Sequence, residues 1–127
     1  MVVRPSAVAG QFYPGNADRL RKQVSDLLAG VAMPIKNTPE ALIAPHAGYI
    51  YSGPVAANAF AAIAATGALF RRVLLVGPAH YIPVGGVAAP SSAAFATPLG
   101  RVQLDRDAIA SLVEAGLVSI DDRAHVP

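Results

Sequence analysis

The sequence predicts an α/β protein with a mostly parallel sheet, organised as one modest domain. Two short apolar runs, ALIAP at residues 41–45 and RRVLLVGP at residues 71–78, both end in proline and have the composition of strands buried on both faces. Helical patterns precede the first run and separate it from the second. The chain has 127 residues and 54% hydrophobic content, which is enough for a single hydrophobic core.

The first predicted element is an amphipathic helix. Asn16 is a suitable N-cap, and the helix is expected to continue to about residue 29, where Gly30 ends it. Its apolar side chains recur at i, i+4, i+7 and i+8, namely Leu20, Val24, Leu27 and Leu28. A stripe of this kind covers another layer of the protein, and the strand at residues 41–45 follows it along the chain.

The second helix is predicted between the two apolar strands. Ser52 is expected to be its N-cap, with Pro54 in the first turn, and the helix runs to about Thr66 before Gly67 ends it. Its many alanines would allow the helix to lie close to a sheet. The strand at residues 71–78 then completes a unit of strand, helix and strand.

The remaining elements are shorter. GGVAAP at residues 85–90 is a weaker strand, and residues 93–105 predict a hairpin that turns at residues 98–100. Asp105 is expected to cap a last helix over residues 106–115, closed by Gly116. The apolar side chains of that helix are Ile109, Leu112 and Val113. This order of elements favours a sheet with helices on its faces.

Composition argues against several classes of protein. The formal net charge is only +2 and the arginines are scattered, so no nucleic-acid surface is predicted. Residues 54–70 form the most membrane-like run, but it is mostly alanine and too short to span a bilayer, so it predicts a buried helix. The chain has no cysteine and no apolar segment typical of a signal peptide at its start, which fits a cytoplasmic protein.

Two histidines follow the carboxyl ends of the two apolar strands. His46 and His80 are 34 residues apart, about the length of one strand, helix and strand unit. Because the carboxyl ends of parallel strands meet at one edge of a sheet, we expect the two rings to lie in one crevice, within about 4 Å. Imidazoles in that arrangement suit iron, copper, zinc or nickel.

Local explanations for the same residues stay open. A histidine after a strand is commonly a polar loop residue, and the glycines at 48, 53 and 77 permit tight turns whether or not anything binds. Tyr49 and Tyr51 can pack their rings while keeping their hydroxyl groups wet. Tyr13 is expected to be a structural anchor, and His125 is expected to be solvated in a loop.

Four ordered motifs resemble a known family. AGQFYPG, APHAGYIYSG, VLLVGPAHY and FATPLGRVQLD are similar to motifs of the Memo family, whose members include AmmeMemoRadiSam system protein B. The resemblance implies an incomplete three-layer α/β/α fold with a mostly parallel central sheet, like that of class III extradiol dioxygenases. It also implies that His46 and His80 are metal ligands, and that Tyr51, with Gly48 and Ser52, belongs to the same pocket.

The chain differs from members of that family in its length. Family members are about twice as long, and their third metal ligand, often a cysteine, comes from the later half. Residues 1–127 are therefore expected to be the N-terminal part of a single Memo-like domain, which lacks that ligand and associates with itself or with a missing C-terminal half.

The resemblance implies two classes of function. The first is a metal-dependent redox enzyme with iron or copper, or zinc, acting on a small molecule; no catalytic residue is assigned. The alternative is a non-enzymatic module that binds a peptide or a phosphorylated ligand, suggested by the link between animal relatives and cell motility signalling. Metal-dependent turnover with O₂ would favour the enzyme, and peptide binding that ignores chelators would favour the module.

Overall fold

The computed structural model describes residues 2–32 and 37–126, which form two compact units of a mixed α/β protein. One unit contains residues 8–32 and 37–71, and the other contains residues 2–7 and 72–126. The predicted α/β class is confirmed at this level. The described ranges contain three α-helices and two small sheets.

The first unit is built on two helices, α1 (Ala17–Ala29) and α2 (Tyr49–Ala64), which pack against each other. The side chain of Asn16 accepts a hydrogen bond from the Arg19 backbone N–H at 3.0 Å, and Gly30 is the C-cap. The predicted start and end of α1 are therefore confirmed. Leu20 is buried, while most of the α1 surface is polar.

Helix α2 begins earlier than the sequence predicts. Gly48 is the N-cap, so Ser52 lies within the helix and Pro54 lies beyond its first turn. The prediction that Ser52 caps α2 is wrong, because the backbone N–H of Tyr49 donates to the carbonyl of Phe12 and fixes the helix start there. The buried face of α2 consists of small residues, namely Ser52, Gly53, Ala57, Ala61 and Ala62. A Cβ added at Gly53 would lie 3.1 Å from a methyl carbon of Leu27, so α1 and α2 approach closely at this point.

The second unit holds the strands and the last helix. The strands are β1 (Val3–Arg4), β2 (Ala88–Ala89), β3 (Ala94–Thr97), β4 (Gly100–Gln103) and β5 (Ser119–Ile120). Strand β3 pairs in parallel with β1 and antiparallel with β4, and β2 pairs in parallel with β5. The predicted hairpin is confirmed, and Gly100 at its turn has φ of +134°, a value that L side chains rarely adopt.

Helix α3 (Arg106–Glu114) confirms the last helix. The Asp105 side chain accepts from the Ala108 backbone N–H at 2.9 Å, as expected of an N-cap. Gly116 has φ of +68° just beyond the C-cap, which suits the left-handed conformation that often ends a helix. A short 3₁₀-helix, Asp122–Ala124, follows β5.

The two apolar runs at residues 41–45 and 71–78 are not strands in this structure, which corrects the central prediction. The Ile43 side chain is fully exposed, and residues 71–78 are exposed throughout. A strand exists only when neighbouring strands accept its hydrogen bonds, and a run that is apolar on both faces also needs layers on both sides. Within residues 2–32 and 37–126, neither run has a pairing partner.

The buried apolar core of the described residues is small. It consists of one leucine and five alanines, namely Leu20, Ala57, Ala61, Ala62, Ala89 and Ala94. Most of the large apolar side chains therefore contribute little to burial. Among the helices that the structure describes, none is long and apolar enough to cross a membrane.

Candidate functional site

The AGQFYPG motif forms a tight turn beside the start of α2. Gly10 has φ of +84°, and its backbone N–H donates to the Tyr13 carbonyl at 2.8 Å. The backbone N–H groups of Gln11 and Phe12 both donate to the Val8 carbonyl. A residue with a Cβ is strained at this φ, so the turn explains why glycine stands at position 10.

This turn holds the start of the APHAGYIYSG helix. The backbone N–H of Tyr49, the first residue of α2, donates to the Phe12 carbonyl at 2.8 Å. A Cβ added at Gly48 would lie 3.4 Å from that same carbonyl oxygen. Gly48 is buried, so its small size allows the two motif segments to touch through their main chains.

Two tyrosines join the same segments through their side chains. The rings of Tyr13 and Tyr49 lie with centroids 5.7 Å apart and planes tilted by 44°. Burial raises the pKa of Tyr49 above its ordinary value, and the neighbouring Tyr13 adds to that increase. The prediction that Tyr13 is a structural anchor agrees with this contact.

His46 lies immediately before this fixed backbone. The Ser52 hydroxyl donates to the Ala47 carbonyl at 2.9 Å, and the backbone N–H groups of Tyr51 and Ser52 both donate to the Gly48 carbonyl. The His46 residue is exposed, and so is Tyr51, at 83%. The structure thus brings the predicted residues at 46, 48, 51 and 52 together on one turn, with main-chain contacts that fix its path.

His80 lies in the other compact unit. It is exposed, and its ring is 6.4 Å from that of Tyr81 in an edge-to-face arrangement. Its predicted approach to His46 stays a prediction. Across residues 2–32 and 37–126, no three His, Asp or Glu side chains are grouped so as to hold a metal ion.

His125 is more ordered than the sequence predicts. Its Nε2 atom lies 3.1 Å from the Ala88 carbonyl oxygen, and its ring centroid lies 6.2 Å from that of Phe95. Arg4 adds to this cluster, because its Nε donates to the His125 carbonyl and its guanidinium carbon lies 4.4 Å from the Phe95 ring centroid. The expectation of a solvated loop histidine is wrong, because His125 joins strands β1, β2 and β3.

A signal for this ordered segment was present in the sequence. Asp121 caps the 3₁₀-helix by accepting from the Arg123 backbone N–H, and the Asp122 carboxylate accepts from the Ser91 backbone and hydroxyl at 2.8 and 2.5 Å. The Ser91 hydroxyl and then its backbone N–H lower the pKa of Asp122. The Asp-Asp pair is therefore the sequence signal that could have indicated this capped turn.

A groove of about 320 Å³ lies beside this cluster. Its lining includes residues 2–5, Ser92, His125 and Val126, and most of that lining is apolar. The Ser92 hydroxyl is buried and has no hydrogen-bond partner in the part of the chain that the structure describes. Two polar side chains of the lining contact main-chain carbonyls, since Arg4 Nε donates to the His125 carbonyl and His125 Nε2 lies beside the Ala88 carbonyl.

A protein-family model with the description Memo-like protein matches residues 4–126 of this chain. The chain belongs to the Memo family. A MEMO1 family protein of Pyrobaculum arsenaticum is 39% identical over 96% of this chain and 45% of its own length. A MEMO1 family protein of Aquifex aeolicus is 36% identical over 99% of this chain and 45% of its own length. Protein MEMO1 of Danio rerio is 33% identical over 92% of this chain and 38% of its own length.

The Memo-family match confirms the family that the four motifs indicate. The chain spans about half the length of the curated relatives it matches. The matched range contains the turn at residues 8–13, the His46 turn and His80.

Proposed function

We propose that this Memo-family chain contributes two histidine ligands, His46 and His80, to a non-haem metal pocket. In this proposal the pocket belongs to a complete three-layer α/β/α domain that is similar to class III extradiol dioxygenases. The observation that carries the proposal is the fixed main chain around His46. Three hydrogen bonds, from Tyr49 to Phe12, from Ser52 to Ala47 and from Ser52 to Gly48, hold the residues that follow this histidine.

A fixed backbone matters because a metal ligand that is already in place costs less conformational entropy to order. Both histidines are exposed residues. Neutral imidazole suits iron, copper and zinc, which makes the donor set compatible with any of the three. The further ligands would come from a segment outside the described residues, and bound iron or copper would supply redox chemistry toward a small molecule.

Metal titration of the chain tests this proposal. Because two protein ligands leave most of the coordination to water, we expect weak one-to-one binding of Zn(II) in calorimetry. His46→Gln and His80→Gln should each abolish it. His125→Gln is the matched control, because an amide can still donate to the Ala88 carbonyl that His125 contacts, and it should bind like the unaltered chain.

Two results would contradict the metal pocket. One is binding that survives the loss of His46 or of His80. The other is loss of metal binding in the control variant, which carries the single substitution His125→Gln. Tight binding of a peptide or a phosphorylated ligand that persists in a chelator would instead favour the non-enzymatic module.

A further inference from the structure

Arg4 lines the groove of the second unit, and its described contacts are to uncharged groups. The side chain is half-buried, its Nε donates to the His125 carbonyl, and its guanidinium carbon lies 4.4 Å from the Phe95 ring centroid. Among the ion pairs formed within residues 2–32 and 37–126, none includes Arg4. The groove therefore has a cation in its lining whose charge is not neutralised by an ion pair in that part of the chain.

The acidic side chain of the same lining, Asp122, is already engaged. One of its carboxylate oxygens accepts from the Ser91 backbone N–H at 2.8 Å, and the other accepts from the Ser91 hydroxyl at 2.5 Å. A second arginine lies next to the groove, because Arg106 Nη1 donates to the carbonyl of the lining residue Ser92 at 3.4 Å. The charges around the groove therefore favour an anionic ligand over a cationic one.

The rest of the lining indicates that the ligand has an apolar body. Val2, Val3, Pro5 and Val126 supply apolar side chains along the groove. At about 30 Å³ for each water-sized group, a groove of about 320 Å³ has room for about ten non-hydrogen atoms. Ser92 also lines the groove, and its buried hydroxyl, which has no hydrogen-bond partner among the described residues, is a further donor for a ligand oxygen.

We propose that this groove binds a small monocarboxylate with an apolar body. Because Nε makes the hydrogen bond to His125, the two Nη nitrogens of Arg4 supply further N–H donors, and the planar guanidinium matches the two oxygens of a carboxylate. The apolar body lies against the valines and Pro5. A free phosphate fits less well, because it carries more charge and has no apolar part to bury in this lining. The site goes beyond the proposed metal pocket and does not involve His46 or His80.

A matched pair of small probes tests the proposal. Hexanoate and hexanamide have the same apolar body and nearly the same shape, but only hexanoate is charged at neutral pH. Each probe is titrated into the 127-residue chain without metal, and the backbone amides are followed by two-dimensional NMR. We expect resonances of residues 2–5, 91–92 and 122–126 to shift. The Kd of hexanoate should be about tenfold lower than that of hexanamide, because hydrogen bonds between charged groups are stronger.

Two arginines of the same unit provide a matched pair of variants. Arg4→Gln should remove the preference for hexanoate and leave the affinity for hexanamide unchanged, since the glutamine amide can still donate to the His125 carbonyl. Arg101→Gln, at an exposed residue outside the lining, removes the same charge and should keep the preference. If Arg4→Gln does not fold, Val126→Asp provides a second variant at a residue that is 61% exposed. Its carboxylate should weaken hexanoate binding alone.

Several outcomes would overturn the proposal. These are equal Kd values for hexanoate and hexanamide, a preference for hexanoate that survives in both Arg4→Gln and Val126→Asp, and an equal loss of that preference in Arg101→Gln. Resonance shifts confined to the exposed apolar residues 73–76 would show that the probes adsorb there, and would also overturn it. Because the titrations contain no metal, failure here is distinguishable from failure of the histidine site.

Discussion

Replacing Leu20 by alanine should destabilise the unit that contains α1 and α2. Leu20 is 4% exposed, and among the described residues it is the only large apolar side chain that is buried. The variant keeps a good helix former in α1, so its effect reports burial rather than helix propensity. The loss should therefore measure how much this leucine contributes to the small core.

The magnitude follows from the burial of this side chain. Removing about three carbon groups at about 0.8 kcal/mol each gives a transfer cost of about 2.4 kcal/mol. The cavity that remains adds to this cost, so the free energy of unfolding should fall by about 2 to 5 kcal/mol. For a unit of this size, the midpoint of thermal unfolding should fall by about 10 °C or more.

The matched control is Leu69→Ala in the same unit. Leu69 is 96% exposed, so its replacement should change the free energy of unfolding by no more than about 0.5 kcal/mol. Urea unfolding followed by circular dichroism at 222 nm measures both variants. Leu20→Met, which nearly conserves volume, should cost less than about 1.5 kcal/mol and provides a folded comparison if Leu20→Ala does not fold. Equal effects of the two alanine variants would refute the assignment of Leu20 to the core.

Two further predictions concern helix α3 and the Gly10 turn. The Ala108 N–H and then Arg72 lower the pKa of Asp105, so its stabilisation should be present above about pH 4 and lost as pH falls through the folded-state pKa. Asp105→Asn should keep the cap and lose this pH dependence, and Asp105→Ala should lose both. Thermal melts of the unaltered chain and the two variants from pH 2 to 7 measure this effect. The same pH dependence of stability in all three proteins would contradict the prediction. Gly10→Ala should destabilise the first unit by about 1 to 2 kcal/mol, because φ is +84°; a urea midpoint equal to that of the unaltered chain would contradict the strained turn.

Local signals predicted the elements whose stabilising contacts are close in sequence. The caps at Asn16 and Asp105 bond to residues three positions later, and the turn of the β3–β4 hairpin joins adjacent strands. Each of these contacts needs only a few neighbouring residues. Their physical cause is therefore contained in a short stretch of sequence, and the structure agrees with the prediction.

The two apolar runs were wrongly predicted to be central strands, because the contacts that form a central strand are not local. An apolar run such as residues 73–76 indicates a buried strand only if other segments flank and cover it. The described residues supply no such neighbours, so the run stays exposed. The predicted start of α2 was wrong for a related reason, since the Phe12 carbonyl that accepts from the Tyr49 N–H belongs to a turn that is distant in sequence.

The residues of the proposed histidine site likewise depend on both local and distant contacts. The turn around His46 is defined by contacts within its own unit, and the assignment of its residues to a metal pocket stays a prediction. His80 lies in the other unit, and its predicted approach to His46 stays a prediction. His125 was misjudged because its partners, Ala88 and Phe95, are far away in the sequence.

The glycines of the motifs have backbone roles that do not depend on a ligand. Gly10 is favoured by a positive φ, whereas Gly48 lies close to the Phe12 carbonyl and Gly53 lies close to a methyl group of Leu27. Each of these features comes from backbone geometry or helix packing, and none requires a ligand. The imidazoles are different, because no main-chain geometry requires an exposed histidine at position 46. Substitutions at these glycines should therefore act through stability, whereas His46→Gln should act through metal affinity, so comparing the two sets tests whether the motif is a scaffold for a binding site.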